Sequence, residues 1–449
     1  MNKSQILLAM FLVSVGGILA QSPPTKNPVI EKMISEISEQ NLRQTIDKLV
    51  SFGTRHTLSD TVSNTRGIGA ARRWIKSEFE RYAKGSNGRM SVAFHESIVQ
   101  PSARVPKPSS VVNVVATLRP SKPSLGERVL VIGGHYDSRA SDPMDATSDA
   151  PGANDDGSGT ALVMELARVM TKANIEATVV FIAFAGEEQG LLGATQWAEM
   201  AKQQGWNIEA MFNNDIVGSS QGGDGTVERS YVRLFSEAYS PVDTGTVFRM
   251  RNNLGLENDG PSRSLARYIS ETSARYLPNF GVRMIYRRDR FLRGGDHSPF
   301  HERGFPAVRF SVARENYDWQ HQNVRMEKEK QYGDLTQFMD FPYLTNVARA
   351  NLAAFATLAM APAPPQEVGI VTRELGYETE LRWKKNQETD LAGYYVRYRE
   401  TISPQWQHSV FTTDTTVSLK VLKDDYLFGV QAVDKEGNAS LVAIPRPVR

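Results

Sequence analysis

The chain has 449 residues, 40% of them hydrophobic, a formal net charge of +2 and no cysteine. Near-balanced charge gives no reason to expect nucleic acid or an anionic surface as a partner, and the missing cysteines exclude disulfides, thiolate metal sites and cysteine nucleophiles. The length is enough for a sizeable core and for more than one domain.

Lys3 followed by the apolar run Ile6 to Ala20 has the pattern of a secretory signal and is too short for a membrane span. Residues 1–20 are therefore expected to be a signal peptide. The mature protein is expected to be exported, periplasmic or extracellular, without stable membrane insertion. Asn27 to Lys84 reads as mostly helical. Val129–Ile132 and Thr178–Phe184 are apolar runs of buried-strand type, Ser158–Lys172 and Leu191–Gln204 carry helical periodicity, and Ile208–Asn213 and Pro306–Phe310 are shorter strands. Such alternation predicts an α/β fold: a three-layer α/β/α unit around a mostly parallel central sheet. Tyr231 to Leu277 fits no simple pattern and is expected to be a helical excursion near the substrate. A helical run from Leu344 to Met360 gives way to a stiff Pro-rich linker at 362–366. Beyond it, short alternating strands around Trp383 and from Gly393, Thr416 and Tyr426 predict a β-sandwich over 367–449, leaving 21–361 as the larger domain.

Five short motifs in that larger domain each offer a metal-capable side chain: GGHYDS from Gly133, GANDDGSG from Gly152, AGEEQG from Ala185, NNDIVG from Asn213 and GGDHSPF from Gly294. Together they supply His135, Asp155, Glu188, Asp215 and His297 as ligands, with Glu187 left over beside Glu188. Two zinc ions about 3.5–4 Å apart clamp the attacking and leaving oxygens of a hydrolysis. They require imidazole and carboxylate donors and an open position for water, and the spare Glu187 then has the role of general base. Each motif alone has a bland reading. An H-x-D such as His135 to Asp137 is more often a structural histidine, although the spacing lets Asp137 orient the imidazole from behind. Asp155 and Asp156 read equally as helix-capping residues. But the runs ending at His135 and just before Glu187 are buried strands, and open α/β sheets bind ligands where strands end. Jointly the bland readings are poor. His95 with Glu96 and His301 with Glu302 lack the second histidine of a helical zinc site, and Ser220 in GSSQG runs into a flexible loop instead of a nucleophile elbow.

In order and context the five motifs resemble the zinc peptidase family of the secreted bacterial leucyl aminopeptidases, whose relatives include glutamate carboxypeptidase, the transferrin receptor and glutaminyl cyclase. The resemblance spans Asn113 to Phe310. It implies two zinc ions per chain, Asp155 bridging them, His135 and Asp215 completing one and Glu188 with His297 the other. Glu187 would take a proton from the attacking water and hand it to the leaving amine. The implied substrates are peptides that lose N-terminal residues. Tyr286, Arg287, Arg290, Tyr317 and His321 are the candidates for holding the oxyanion and the substrate's amino group, with a structural role for His321 equally open. Arg287, Arg288, Arg290 and Arg293 also keep a carboxypeptidase direction open. A glutaminyl cyclase-like activity and a non-catalytic, receptor-like binding protein are the remaining alternatives. The C-terminal sandwich resembles a fibronectin type III module, with Trp383 as core indole and Tyr426 at a tyrosine corner. It would bind protein or glycan partners, or pack on the larger domain.

Overall fold

The computed structural model describes residues 22–121, 127–373 and 376–449, so the expected signal peptide lies outside the described residues. Three helices open the described chain, α1 (Pro28–Ser35), α2 (Glu39–Val50) and α3 (Gly67–Ala83). Asn27 caps α1 by accepting from the Val29 N–H, and Pro28 stands at the first helical position, where its missing N–H costs nothing. An antiparallel hairpin follows, β1 (Met90–Val99) and β2 (Ser109–Leu118). The alternation then runs β3 (Arg128–His135), α4 (Gly157–Met170), β4 (Thr178–Phe184), α5 (Leu192–Gln203) and β5 (Asn207–Asn214). After these come β6 (Tyr231–Ser236), α6 (Gly245–Asn253), α7 (Pro261–Tyr276), β7 (Gly281–Ile285), α8 (His297–Glu302) and β8 (Ala307–Ser311). A small hairpin, β9 (Arg325–Glu327) and β10 (Lys330–Tyr332), precedes α9 (Phe341–Met360).

One eight-stranded sheet has the order β1-β2-β4-β3-β5-β8-β6-β7. Its centre, β4-β3-β5-β8, is parallel; β2 joins β4 and β6 joins β8 antiparallel, so the sheet is mixed at its flanks. Every residue of β3 is buried, as a strand covered on both faces must be. The longest helix, α9, is apolar around most of its circumference and correspondingly buried along nearly its whole length. Phe355 on it packs against Phe181 of β4 and Phe212 of β5. The segment Tyr231 to Leu277 is a strand and two helices, not a wholly helical excursion. α7 packs mainly on α9 and β7 and reaches toward the C-terminal strands through Arg267, which donates to the Pro404 carbonyl.

Those strands form two sheets: β15-β12-β11-β17, of β11 (Gln366–Val371), β12 (Thr379–Lys384), β15 (Thr416–Leu419) and β17 (Arg446–Val448), and β14-β13-β16, of β13 (Leu391–Glu400), β14 (His408–Thr412) and β16 (Tyr426–Asp434). Trp383 is buried between them and meets Tyr394 edge-on, while Tyr426 joins an aromatic group with Tyr398, His408 and Phe428. Asp259 fastens this part to the larger one, its buried carboxylate lying between Arg267 (2.9 Å) and Arg399 of β13 (2.7 Å).

Candidate metal centre

The C-terminal ends of β3, β4 and β5 lie side by side, and each delivers an acidic or imidazole side chain to one rim. His135 is the last residue of β3, Glu187 and Glu188 follow β4, and Asp215 follows β5. Asp155 arrives from the loop before α4, whose N-terminus Asp156 caps through the Gly159 N–H. The Asp156 carboxylate also accepts from the backbone N–H of His135 (3.0 Å) and of Ile216 (3.2 Å), tying the ends of two strands to the Asp155 loop. Asp334 accepts from the N–H groups of Asn154 and Asp155 at 2.9 and 2.7 Å. Fully buried Arg55 donates to the carbonyls of Tyr136 (2.6 Å) and Gly152 (2.8 Å), holding the loop from the other side. Asp137 lies behind His135, with Oδ1 3.5 Å from Nδ1. It also accepts from the N–H groups of Glu187 and Glu188 and from the Thr57 hydroxyl.

Within this frame the donors fall into two sets. His135 Nε2 is 3.3 Å from Asp155 Oδ1, 3.8 Å from Asp215 Oδ1 and 4.0 Å from Glu187 Oε2. His321 Nε2 is 2.8 Å from Asp155 Oδ2 and 2.9 Å from Glu188 Oε1. Within each of the sets His135, Glu187, Asp215 and Asp155, Glu188, His321 the ligand-type atoms lie within 4.8 Å of one another. Zinc holds nitrogen and oxygen donors at about 2.0–2.1 Å, so tetrahedral neighbours stand about 3.3–3.5 Å apart; the His135 to Asp155 separation already has that value. His135 Nε2 and Asp215 Oδ2 are buried with no hydrogen-bond partner, which is what a site built for a cation presents. Electrostatics agree. Burial lowers the pKa of both imidazoles, yet Glu187 with Asp137, Asp155 and Asp215 raises His135 well above its ordinary value, and Glu188 with Asp155 raises His321 to about 10. Carboxylates that favour an imidazolium this strongly surround a position suited to positive charge. Burial and the neighbouring Asp215, Glu188 and Asp296 likewise push Glu187 well above the usual carboxylate range, against the pull of His135.

Residues 113–339 match the family model described as Peptidase family M28. A probable zinc metalloprotease of Leptosphaeria maculans is 46% identical over 426 residues, which are 94% of this chain and 98% of that one. The chain belongs to peptidase family M28. A probable zinc metalloprotease of Pyrenophora teres f. teres is 43% identical over 97% of this chain and 90% of its own. Among solved structures, the LapA aminopeptidase of Legionella pneumophila shares the fold with a TM-score of 0.54 and 21% identity, over 76% of this chain and 78% of LapA. LapB of the same organism gives 0.51 and 20%, over 75% of this chain and 78% of LapB. This M28 protein is thus a zinc metalloprotease, a hydrolase of peptide bonds.

One ligand expectation for this M28 peptidase needs correction. His297 does not reach Glu188: its Nε2 lies 2.9 Å from the Arg288 carbonyl oxygen and 3.7 Å from Asp289, and burial lowers its pKa to about 4. The imidazole beside Glu188 is His321, on the loop between β8 and β9 at a left-handed φ of 54°. The physical reason is placement. His297 starts α8 directly after the rim loop 286–296 and turns its Nε2 to that loop's backbone at Arg288, while the loop after β8 brings Gln320 and His321 to Asp155. Gln320, next to His321, donates to Asp155 Oδ2 at 3.0 Å. Of the remaining substrate-binding candidates, Tyr286 packs under the Arg263 guanidinium and Arg287 over Phe291. Arg290 pairs with Asp289 (3.2 Å) and Glu315 (2.8 Å). Tyr317 is exposed, on the same loop as His321. Sequence reasoning missed Arg55, Asp334 and Arg309. Buried Arg309 stands 3.0 Å from Asp215 Oδ1 and 2.8 Å from Asp289, linking the β5 end to the rim loop. None of the three belongs to a recognisable local pattern; only burial distinguishes them.

Proposed function

We propose that this M28 peptidase is an exported two-zinc aminopeptidase. Asp155 carries the reading: one carboxylate shows Oδ1 to His135 and Oδ2 to His321, at 3.3 and 2.8 Å, so a single residue faces two metal positions. His135 and Asp215 would hold one zinc, Glu188 and His321 the other, and Asp155 both. When bound, the two ions supply Lewis acidity that acidifies the attacking water and polarises the scissile carbonyl. Glu187 takes the water's proton and returns it to the leaving amine, a role suited to a carboxylate whose basicity is raised by burial and by its acidic neighbours. Asp137 keeps the His135 ring oriented and fixes the backbone of both glutamates.

The aminopeptidase direction is favoured by the fold shared with LapA, named an aminopeptidase, and by the engagement of Arg288 with Glu302 and of Arg290 with Asp289 and Glu315. These pairs occupy cations that a carboxypeptidase would turn to a terminal carboxylate. Export rests on the Lys3 and Ile6 to Ala20 pattern; among the described residues no helix is long and apolar enough to cross a membrane. For the C-terminal sandwich, which we read as fibronectin type III-like, the buried Arg267–Asp259–Arg399 cluster favours packing on the larger domain over capture of a separate protein or glycan.

Metal content of the mature protein, measured with hydrolysis of aminoacyl p-nitroanilides before and after chelation, tests this reading. Two zinc per chain, with activity lost on chelation and restored by zinc, is the expected result. One zinc, no amide hydrolysis and cyclisation of an N-terminal glutamine peptide would overturn it.

A further inference from the structure

Glu188 has a neighbour that the reaction above leaves unused. Arg139, on the loop leaving β3 four residues beyond His135, brings Nε to 3.6 Å from Glu188 Oε2 with its side chain 15% exposed. That Nε is buried without a hydrogen-bond partner, while the terminal nitrogens are not sealed from solvent. Among the described residues the guanidinium makes no hydrogen bond at all, although arginine carries five donors in a fixed fork. Arg104, from the β1–β2 turn, donates to the Glu188 carbonyl oxygen at 2.8 Å and is exposed. Two guanidinium groups therefore touch Glu188, one at its backbone carbonyl and one at its carboxylate. Arg139 touches Glu188 without a hydrogen bond, whereas the rim Arg290, to which the sequence draws attention, is hydrogen-bonded to Asp289 and Glu315.

A partly buried guanidinium with unused donors beside a candidate metal-ligand carboxylate is a receptor for a planar anion, since its fork matches a carboxylate with two parallel hydrogen bonds. We propose that Arg139 receives a substrate carboxylate close to the scissile bond. Two sources share that chemistry: the free C-terminus of a dipeptide and the acidic side chain of the residue being removed. The inference rests on Glu188 holding zinc, as read above.

The test uses the zinc-loaded full chain and compares kcat/KM for Leu-Leu, Leu-Leu amide, Asp p-nitroanilide and Leu p-nitroanilide in wild type, Arg139→Gln and Arg139→Lys. If the terminal carboxylate is the ligand, the Leu-Leu to Leu-Leu amide ratio falls about tenfold or more in Arg139→Gln, through KM, and recovers in part in Arg139→Lys. If the acidic side chain is the ligand, the Asp to Leu p-nitroanilide ratio falls instead. Zinc content remains that of wild type in both cases. Ratios that hold within about twofold overturn the proposal. So does an equal loss on all four substrates accompanied by loss of zinc, which would show that Arg139 only steadies Glu188. A zinc-loaded wild type that cleaves none of the four overturns the aminopeptidase reading and this one with it.

Discussion

The floor of the candidate metal centre and its wall are built by different means. The floor consists of His135, Glu187, Glu188 and Asp215 at the ends of three neighbouring parallel strands, where the register of β4-β3-β5 sets their spacing. The wall is the segment from Val312 to Asp334, a loop followed by the β9–β10 hairpin, which contributes His321, Gln320 and Asp334 through side-chain and backbone contacts to Asp155, Glu188 and Asn154. A sheet is rigid, and a side chain at a strand end needs few further contacts to be aimed. A loop position needs each of them. The difference teaches that chemistry attached to strand ends is readable as local motifs, whereas chemistry on a long loop depends on what the loop touches.

Breaking the floor should have the largest effect. Glu187→Gln removes a base and leaves the ligand candidates in place, so turnover should fall about 10³-fold with zinc retained; a variant with full turnover would remove Glu187 from the reaction. On the wall, His321→Ala should lose one of two zinc ions and about 100-fold in activity, read by metal analysis of the same samples used for kinetics. His297→Ala sharpens the contrast. It should keep both ions and lose stability instead, about 1–3 kcal/mol from the unpaired Arg288 carbonyl and the emptied volume. If urea unfolding shows no change while zinc is lost, the two histidines have been assigned the wrong way round.

The smallest effect lies at the opposite end of the sheet and separates general pH effects from those of the site. Burial, and then Asp390 and Glu388, raise Glu176 to about 7, against the pull of Arg128. A carboxyl with a raised folded-state pKa favours folding fully below its unfolded value near 4, and loses that contribution as pH rises to about 7. Glu176→Gln should therefore raise the melting temperature at pH 8 and leave it unchanged at pH 4. A shift of the same size at both pH values would mean that charge at Glu176 is not the cause.

The contrast between floor and wall also marks how far the sequence could be read. Thr178–Phe184 appears as a strand with its observed limits because an apolar run bounded by polar residues has one way to be buried in a parallel sheet. Leu344–Met360 falls inside α9 because its periodicity persists for several turns. The mixed flanks were not legible: whether β6 lies parallel or antiparallel to β8 depends on the path of α6 and α7, not on residues within the strand. Nor was the sandwich's attachment, because Asp259, Arg267 and Arg399 are separated by up to 140 residues and carry no joint signature.

By itself, then, the sequence determined the strand ends that carry His135, Glu187, Glu188 and Asp215 and the family to which the chain belongs, since short connections fix such residues within a few positions of a strand. The tertiary structure alone decided that His321 and not His297 faces Glu188, that Arg290 is hydrogen-bonded to carboxylates while Arg139 Nε is not, and that Arg309 and Asp334 contact the candidate site. The physical reason is that a loop side chain or a buried arginine is placed by contacts between segments far apart in the chain, and no local pattern encodes a contact whose two halves meet only after folding.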